Sequence, residues 1–324
     1  MPRRGEFELI HDLFKPLSDQ AHGLGLTDDA ALVAPDPGHD LVATTDMVVE
    51  GIHFLPEDPP GDVARKALRV NLSDVAAMGA KPLYYLLTLA APASLSDAWL
   101  EAFAAGLHDD QQRYGVTLVG GDTVSTPGPL SLNIVALGQV RRGMALRRSG
   151  AQAGEGIFVS GSIGDAALGL AVARGEFSPP AEIGRALLSR YRVPEPRVTL
   201  GPRLVGVARS AIDVSDGLVA DLTHITEESR IGAEIRLADV PLSPAAQRMI
   251  AGDHDQLVGA ITGGDDYELL FTAPIALESW LQRIAAEVGV PITRIGETNT
   301  GSGVVVRGPD GREIAITRRG HTHF

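Results

Sequence analysis

Cysteine is absent from the 324 residues, which excludes disulfides, thiolate nucleophiles and zinc-thiolate sites. Lysine is nearly absent: Lys15, Lys66 and Lys81 stand against twenty-five arginines, a bias that reads as base composition and leaves few candidates for a catalytic lysine. Positive charge as a whole is in deficit. A formal charge of −13 argues against a general binder of nucleic acid or of anionic membrane, since both use basic surface to neutralise phosphate. Long apolar runs are missing too, the longest, around Leu83 to Ala93, being too short to span a bilayer and interrupted by Pro92. The charged start, Met1 to Glu6, leads into an amphipathic segment without the apolar core of a signal peptide, so a cytoplasmic protein is expected. There is no GxxxxGK[ST] phosphate loop, no protein-kinase signature set and no helical His-x-x-x-His pair for zinc.

What the chain has instead is aspartate beside glycine or at strand ends: Asp28-Asp29, Asp46, Asp74, Gly120-Gly121-Asp122, Asp213-Val-Ser-Asp216-Gly217 and Gly263-Gly264-Asp265-Asp266. Singly, each reads as a turn former or helix cap. Together they suit several hard divalent cations, because Mg²⁺ usually holds phosphate alongside only one or two carboxylates. The adjacent pairs add weight, since neighbouring like charges repel unless a cation or strong donors intervene.

The length predicts two domains, 1–140 and 141–324, with the boundary in the glycine- and arginine-rich stretch from Arg141 to Gly156. Residues 6–17 read as a helix burying Phe7, Ile10, Leu13 and Phe14. Residues 41–45 read as a strand ending at Asp46, and 62–80 as a helix that places Asn71 beside Asp74. A helix announced by Ser94 to Asp97 runs to Gly115, and a short strand 116–119 ends in the Gly-Gly-Asp turn, before a further strand over 130–140. In the second half, 157–161, 211–215 and 267–272 read as strands, with Asp213 and Ser215 on one face, and helices are expected near 165–174, 217–229 and 279–288.

The motifs Gly5-Glu-Phe7, Asp28-Asp29-Ala-Ala, Thr44-Thr45-Asp46, Gly51-Ile-His53-Phe54, Asn71-Leu-Ser-Asp74, Gly120-Gly-Asp-Thr123, Arg148-Ser-Gly-Ala, Asp213-x-Ser-Asp-Gly217-Leu and Gly263-Gly-Asp-Asp-Tyr-Glu-Leu269, in this order from residue 5 to the tail, resemble the thiamine-monophosphate kinase family. That family is related to aminoimidazole ribonucleotide synthetase and selenophosphate synthetase. The resemblance implies an α/β (α+β) fold of two domains like that of aminoimidazole ribonucleotide synthetase, the N-terminal one pairing its strands in a homodimer, with ATP and several Mg²⁺ ions between the domains. It implies ATP-dependent phosphorylation of thiamine monophosphate to thiamine diphosphate. Carried over by position, the metal ligands are Asp29, Thr44, Thr45, Asp46, Asp74, Asp122, Asp213 and Asp216. Gly121, Asp122, Arg148 and Ser215 match ATP contacts, and His53, Asp265 and His321 match thiamine phosphate contacts. Asp46, Asp122 and Arg148 would carry catalysis. Two positions depart from the family pattern: Thr27 replaces a glycine before the first aspartate pair, and His321 stands where the family tends to carry Trp or Tyr. The alternatives are an enzyme of the same fold acting on another substrate, of the aminoimidazole ribonucleotide synthetase type, or a non-catalytic acidic metal-binding protein.

Overall fold

The computed structural model describes residues 4–250, 252–316 and 320. The chain forms two compact units, Met1–Val75 with Ala80–Gly143, and Ala76–Gly79 with Met144–Phe324.

The first unit opens with helix α1 (Glu6–Leu9), a π turn (Ile10–Phe14) and a 3-10 turn (Lys15–Leu17). The change of helical pitch explains why the expected apolar face is buried only in part, at Phe14 and partly at Ile10 and Leu13. Leu9, Phe14 and Leu17 are buried, at spacings of a wide turn and then a tight one, while Phe7 is 82% exposed. Next come strand β1 (His39–Val49), α2 (Pro60–Ala77), β2 (Lys81–Pro92), α3 (Asp97–Tyr114), β3 (Thr117–Thr126) and β4 (Ser131–Arg141), in a sheet of order β1-β4-β2-β3. Only β2 and β3 pair in parallel, as their joining helix α3 requires.

Helix α3 is capped at Ser96, whose Oγ accepts the Trp99 N–H, rather than at Ser94, and ends at Gly115 in the left-handed conformation. Inner-face residues of the sheet such as Val42, Val48, Leu132 and Ile134 are buried, as are Leu100, Phe103 and Leu107 of α3. Arg69 on α2 and Asp110 on α3 form a buried two-pronged ion pair, 2.7 Å at each prong. Gly79 stops α2: the Ala80 N–H reaches the Val75 carbonyl and the Gly79 N–H that of Ala76, with Gly79 at φ +70°.

The second unit contains β5 (Gly156–Ser160), α4 (Asp165–Ala173), α5 (Ala181–Arg192), α6 (Gly201–Leu204), β6 (Ser210–Asp213), α7 (Leu218–Ser229), β7 (Gly232–Arg236), α8 (Pro244–Ile250), α9 (His254–Thr262), β8 (Leu269–Ala273), α10 (Glu278–Val288), β9 (Ile292–Asn299) and β10 (Gly303–Arg307). Its six-stranded sheet runs β10-β7-β9-β5-β8-β6. Strands β5 and β8 are buried at every residue, as continuous apolar strings covered on both faces should be. Alternate residues divide between two cores. Ile157, Val159 and Leu270 pack with Leu218, Leu222 and Ile225 of α7, whereas Phe158 and Phe271 pack with Leu281 and Ile284 of α10. Ala76 and Ala77 join the second of these cores.

Candidate active site

In the first unit the period of the strand sorts the acidic and hydroxyl residues. Thr44 and Asp46 lie on the face of β1 that also carries buried Val42 and Val48, while Thr45 lies on the other face. The Thr44 hydroxyl donates to Asp74 Oδ2 at 2.6 Å, and the Asp46 N–H donates to Asn71 Oδ1 at 2.8 Å. Asn71 is fully buried and its amide nitrogen is spent on the Ala67 carbonyl one turn back, which fixes its oxygen toward the outer edge of β1. Thr44, Asp46, Asn71 and Asp74 are therefore brought together, although Asp46 stands inside β1, opposite Ile134, and not at a strand end. Asn71 supplies the reason the strand persists: it satisfies an N–H of an edge strand that would otherwise have no partner in the sheet.

Thr45 and Asp122 belong to the opposite face. The Thr45 hydroxyl lies 3.0 Å from Asn133 Oδ1 and 3.1 Å from the Ile134 carbonyl. Asn133 shares a cross-strand row with Met47, Thr88 and Asp122. The Gly-Gly-Asp sequence is not a terminating turn but part of β3, which bulges at Val119 and continues to Thr126. Glycine is demanded at 121 by close approach, since a Cβ there would sit 1.8 Å from the Leu87 carbonyl oxygen. Exposed Asp122 accepts the Thr123 N–H at 2.9 Å. Asp28 and Asp29 are exposed on the loop after Leu26. Half-buried His53 accepts the Val49 N–H on Nδ1 at 3.1 Å, so Nε2 carries the proton in the neutral ring.

In the second unit, β6 ends at Asp213, and Ser215 lies beyond it in the turn to α7, so the two do not share a strand face. The Asp221 carboxylate, on the first turns of α7, folds back beneath that turn: its Oδ2 accepts the N–H groups of Ser215, Asp216 and Gly217, each at 3.1 Å. From the other side the 263–267 loop pairs with it, Asp265 N–H to Ser215 O and Tyr267 N–H to Val214 O, both at 2.8 Å. Both backbone polar groups of Ser215 are thus committed. Gly264 lets the loops meet, because a Cβ there would lie 2.4 Å from Ser215 O. Gly320 approaches likewise, its Cβ position falling 2.5 Å from Ala220 Cβ and 2.7 Å from Asp216 O.

Asp216, Asp221 and His224 offer ligand atoms all within 4.8 Å of one another, the one such trio of His and carboxylate groups among the described residues. Burial, reinforced by the Asp216 charge and opposed by the three N–H bonds, pushes the Asp221 carboxyl up to about 7. The pair Asp265-Asp266 is divided between two environments. The Asp265 carboxylate accepts the Tyr267 hydroxyl at 3.0 Å, whereas Asp266 is buried and accepts the Gly164 N–H at 2.8 Å, capping α4. Burial holds the Asp266 carboxyl well above the usual range, against the lowering effect of the Gly164 bond. Exposed Arg148 makes no ion pair among the described residues, and its turn is tied to α7 by Ser229, whose hydroxyl donates to Arg148 O at 3.3 Å and accepts the Ala151 N–H at 3.1 Å. His321 lies outside the described residues.

Four features escaped the sequence reading: the Asn71 clamp on Asp46, the three-pronged Asp221, His224 beside it, and Glu268. Glu268 is wholly buried and receives Ser160 at 2.6 Å, Arg190 at 2.8 Å and Arg197, which anchors the strand following the Asp265 loop. Helical spacing does put His224 three residues after Asp221, a signal that was available.

The family model described as AIR synthase related protein, N-terminal domain, matches residues 27–140, and its C-terminal counterpart matches residues 152–308. Fold and acidic clusters thus define a two-domain protein of the AIR synthase related class. A thiamine-monophosphate kinase of Caulobacter vibrioides is 42% identical over 323 residues, covering 98% of this chain and 90% of that protein. The crystal structure of thiamine-monophosphate kinase from Stenotrophomonas maltophilia K279a matches with a TM-score of 0.86 at 41% identity, over 96% of this chain and 98% of that one. AaThiL complexed with AMPPCP and TMP matches at 0.80 and 32% identity, over 99% of this chain and 97% of that one. The chain belongs to the thiamine-monophosphate kinase family.

Proposed function

We propose that the protein transfers the γ-phosphoryl group of ATP to thiamine monophosphate, giving thiamine diphosphate and ADP. The observation that carries the reading is its full-length likeness to AaThiL, which was solved with AMPPCP and TMP. The side chains fit the metal such chemistry uses. Thr44 and Asp46 on one face of the first sheet with Asp74 of α2 beside them, Asp122 on the other face, and Asp213 and Asp216 in the second unit all carry oxygen, the donor hard Mg²⁺ takes. Mg²⁺ held by these residues would neutralise phosphate charge. Arg148, exposed and without an ion pair among the described residues, is suited to an ATP phosphate, and His53 Nε2–H and the Asp265 carboxylate to the acceptor.

A phosphate monoester is already largely ionised near neutral pH, so no strong general base is needed, and positioning and charge neutralisation supply most of the catalysis. Direct in-line transfer without a phosphoenzyme follows from that reading. The same reading includes the cytoplasm as the location, where ATP is at hand, and a homodimer. The outer face of the first sheet exposes Leu41, Met47 and Val124 by 41–53%, an apolar surface that a second copy would cover, and a solution mass of one chain would remove the dimer.

Incubating purified protein with ATP, Mg²⁺ and thiamine monophosphate tests the activity. Thiamine diphosphate should form, and Asp46→Asn or Asp122→Asn should abolish turnover while leaving the circular dichroism unchanged. No product above background, while another phosphorylated acceptor reacts, would overturn it in favour of a same-fold enzyme with a different substrate.

A further inference from the structure

A turn of successive backbone N–H groups ahead of a helix, with glycine in it, is the usual form of a phosphate-binding loop. The segment Ser215-Asp216-Gly217 ahead of α7 has that form, and its N–H groups do converge on one point. The point is already occupied: Asp221 Oδ2 lies 3.1 Å from all three nitrogens, on a side chain that is only 2% exposed. The turn is also closed from outside, since Ser215 O is bound by the Asp265 N–H and a Cβ at Gly217 would meet the Thr262 backbone at 2.9 Å.

We propose that the Asp221 carboxyl group fills this backbone nest as an internal acceptor, so that the turn presents its Asp216 side chain to a divalent cation instead of offering N–H groups to a phosphate. Asp221 is a positioning residue in this account, acting through the turn. With its N–H held from below and its carbonyl abutted by Gly264 and Gly320, Asp216 is constrained to keep its carboxylate within 4.8 Å of the ligand atoms of Asp221 and His224. Changing the Asp221 carboxyl leaves the three convergent donors with a weaker acceptor or none, and the turn loses the geometry that aims Asp216. The inference rests on reading Asp216 as a cation ligand, the role proposed for it above.

The test is a Mn²⁺ titration of the nucleotide-free, full-length protein, followed by electron paramagnetic resonance, with Asp216→Asn defining which binding depends on Asp216. Asp221→Asn, close to isosteric, should weaken that binding tenfold to a hundredfold, the usual effect of residues that orient metal ligands. The double variant Asp216→Asn/Asp221→Asn should lose no more than the worse single one, because the two act as a unit. Asp221→Ala should show the same loss and recover affinity in formate, which can reoccupy the nest, but not in chloride. Wild-type Mn²⁺ binding in Asp221→Asn, additive losses in the double variant, or no recovery in formate would each overturn the proposal, as would wild-type protein lacking any binding dependent on Asp216. None of these readouts needs turnover, so failure to make thiamine diphosphate would count against the kinase reading alone.

Discussion

Replacing Gly121 by alanine puts the geometry of β3 to a direct test. The added Cβ would stand 1.8 Å from the Leu87 carbonyl oxygen, 2.7 Å from its carbon and 3.0 Å from its nitrogen, all of them backbone atoms that no rotamer change can move. An ordinary carbon–oxygen approach is about 3.3 Å, so the strands must part locally by about 1.5 Å, a third of their normal spacing of about 4.8 Å. Leu87 is held on its other side by pairing with Ile134, which leaves the edge strand β3 to give way. Losing roughly two ladder hydrogen bonds at about 1 kcal/mol each, plus residual strain, puts the destabilisation at about 2–4 kcal/mol. Asp122 is the next residue, and a displacement of about 1 Å there should lower turnover about a hundredfold. Gly120→Ala is the control: its Cβ would meet only the tip of the Leu86 side chain, Cδ2 at 3.0 Å, and should cost less than about 1 kcal/mol. Urea unfolding and thiamine diphosphate formation, measured on both variants, decide the matter. Equal damage at 120 and 121, or wild-type behaviour at 121, would refute the assignment of Gly121 to close strand approach and with it the placement of Asp122 inside β3.

Arg69→Met should destabilise the first unit by about 3–5 kcal/mol, because it strands the Asp110 carboxylate, 2% exposed, without its two-pronged partner. Arg69→Met/Asp110→Leu should recover most of that loss in urea unfolding, and a single variant as stable as wild type would contradict the burial argument. Asp266 concerns pH. Its folded value lies above the unfolded one of 3.8, so its contribution to stability is complete below that value and is lost as pH rises through the folded value. Asp266→Asn keeps an oxygen for the Gly164 N–H and cannot ionise, so unfolding curves at pH 5 and pH 8 should show a smaller fall in stability for the variant than for wild type. Parallel curves for the two proteins would refute it.

The parts of the fold visible in the sequence are those whose cause is local. The short apolar runs read as strands over 157–161 and 267–272 form strands Gly156–Ser160 and Leu269–Ala273, which the structure buries at every residue, and the cap and glycine stop of α3 lie within a turn of its ends. The misread boundaries share a different cause, a partner remote in the chain. Asp46 looked like the end of a strand because aspartate is a poor strand former, yet β1 continues through Met47 to Val49, and Asn71, on another element, accepts the N–H that the sheet edge leaves unpaired. Gly120-Gly121 looked like a turn because glycine pairs usually are, and only the nearness of Leu87 shows that the requirement is for absent side chain and not for a bend. Asp221 is the contrary case, local yet unread: it lies five residues after Asp216, and its role follows from where three N–H groups point, a property of the backbone that no side-chain pattern records. Acidic residues spread along this chain are consequently not equivalent. Asp266 and Asp221 are buried and spend their carboxyl oxygens on N–H groups, whereas Asp46 and Asp216 have their own N–H held by such a neighbour, Asn71 in one case and Asp221 in the other.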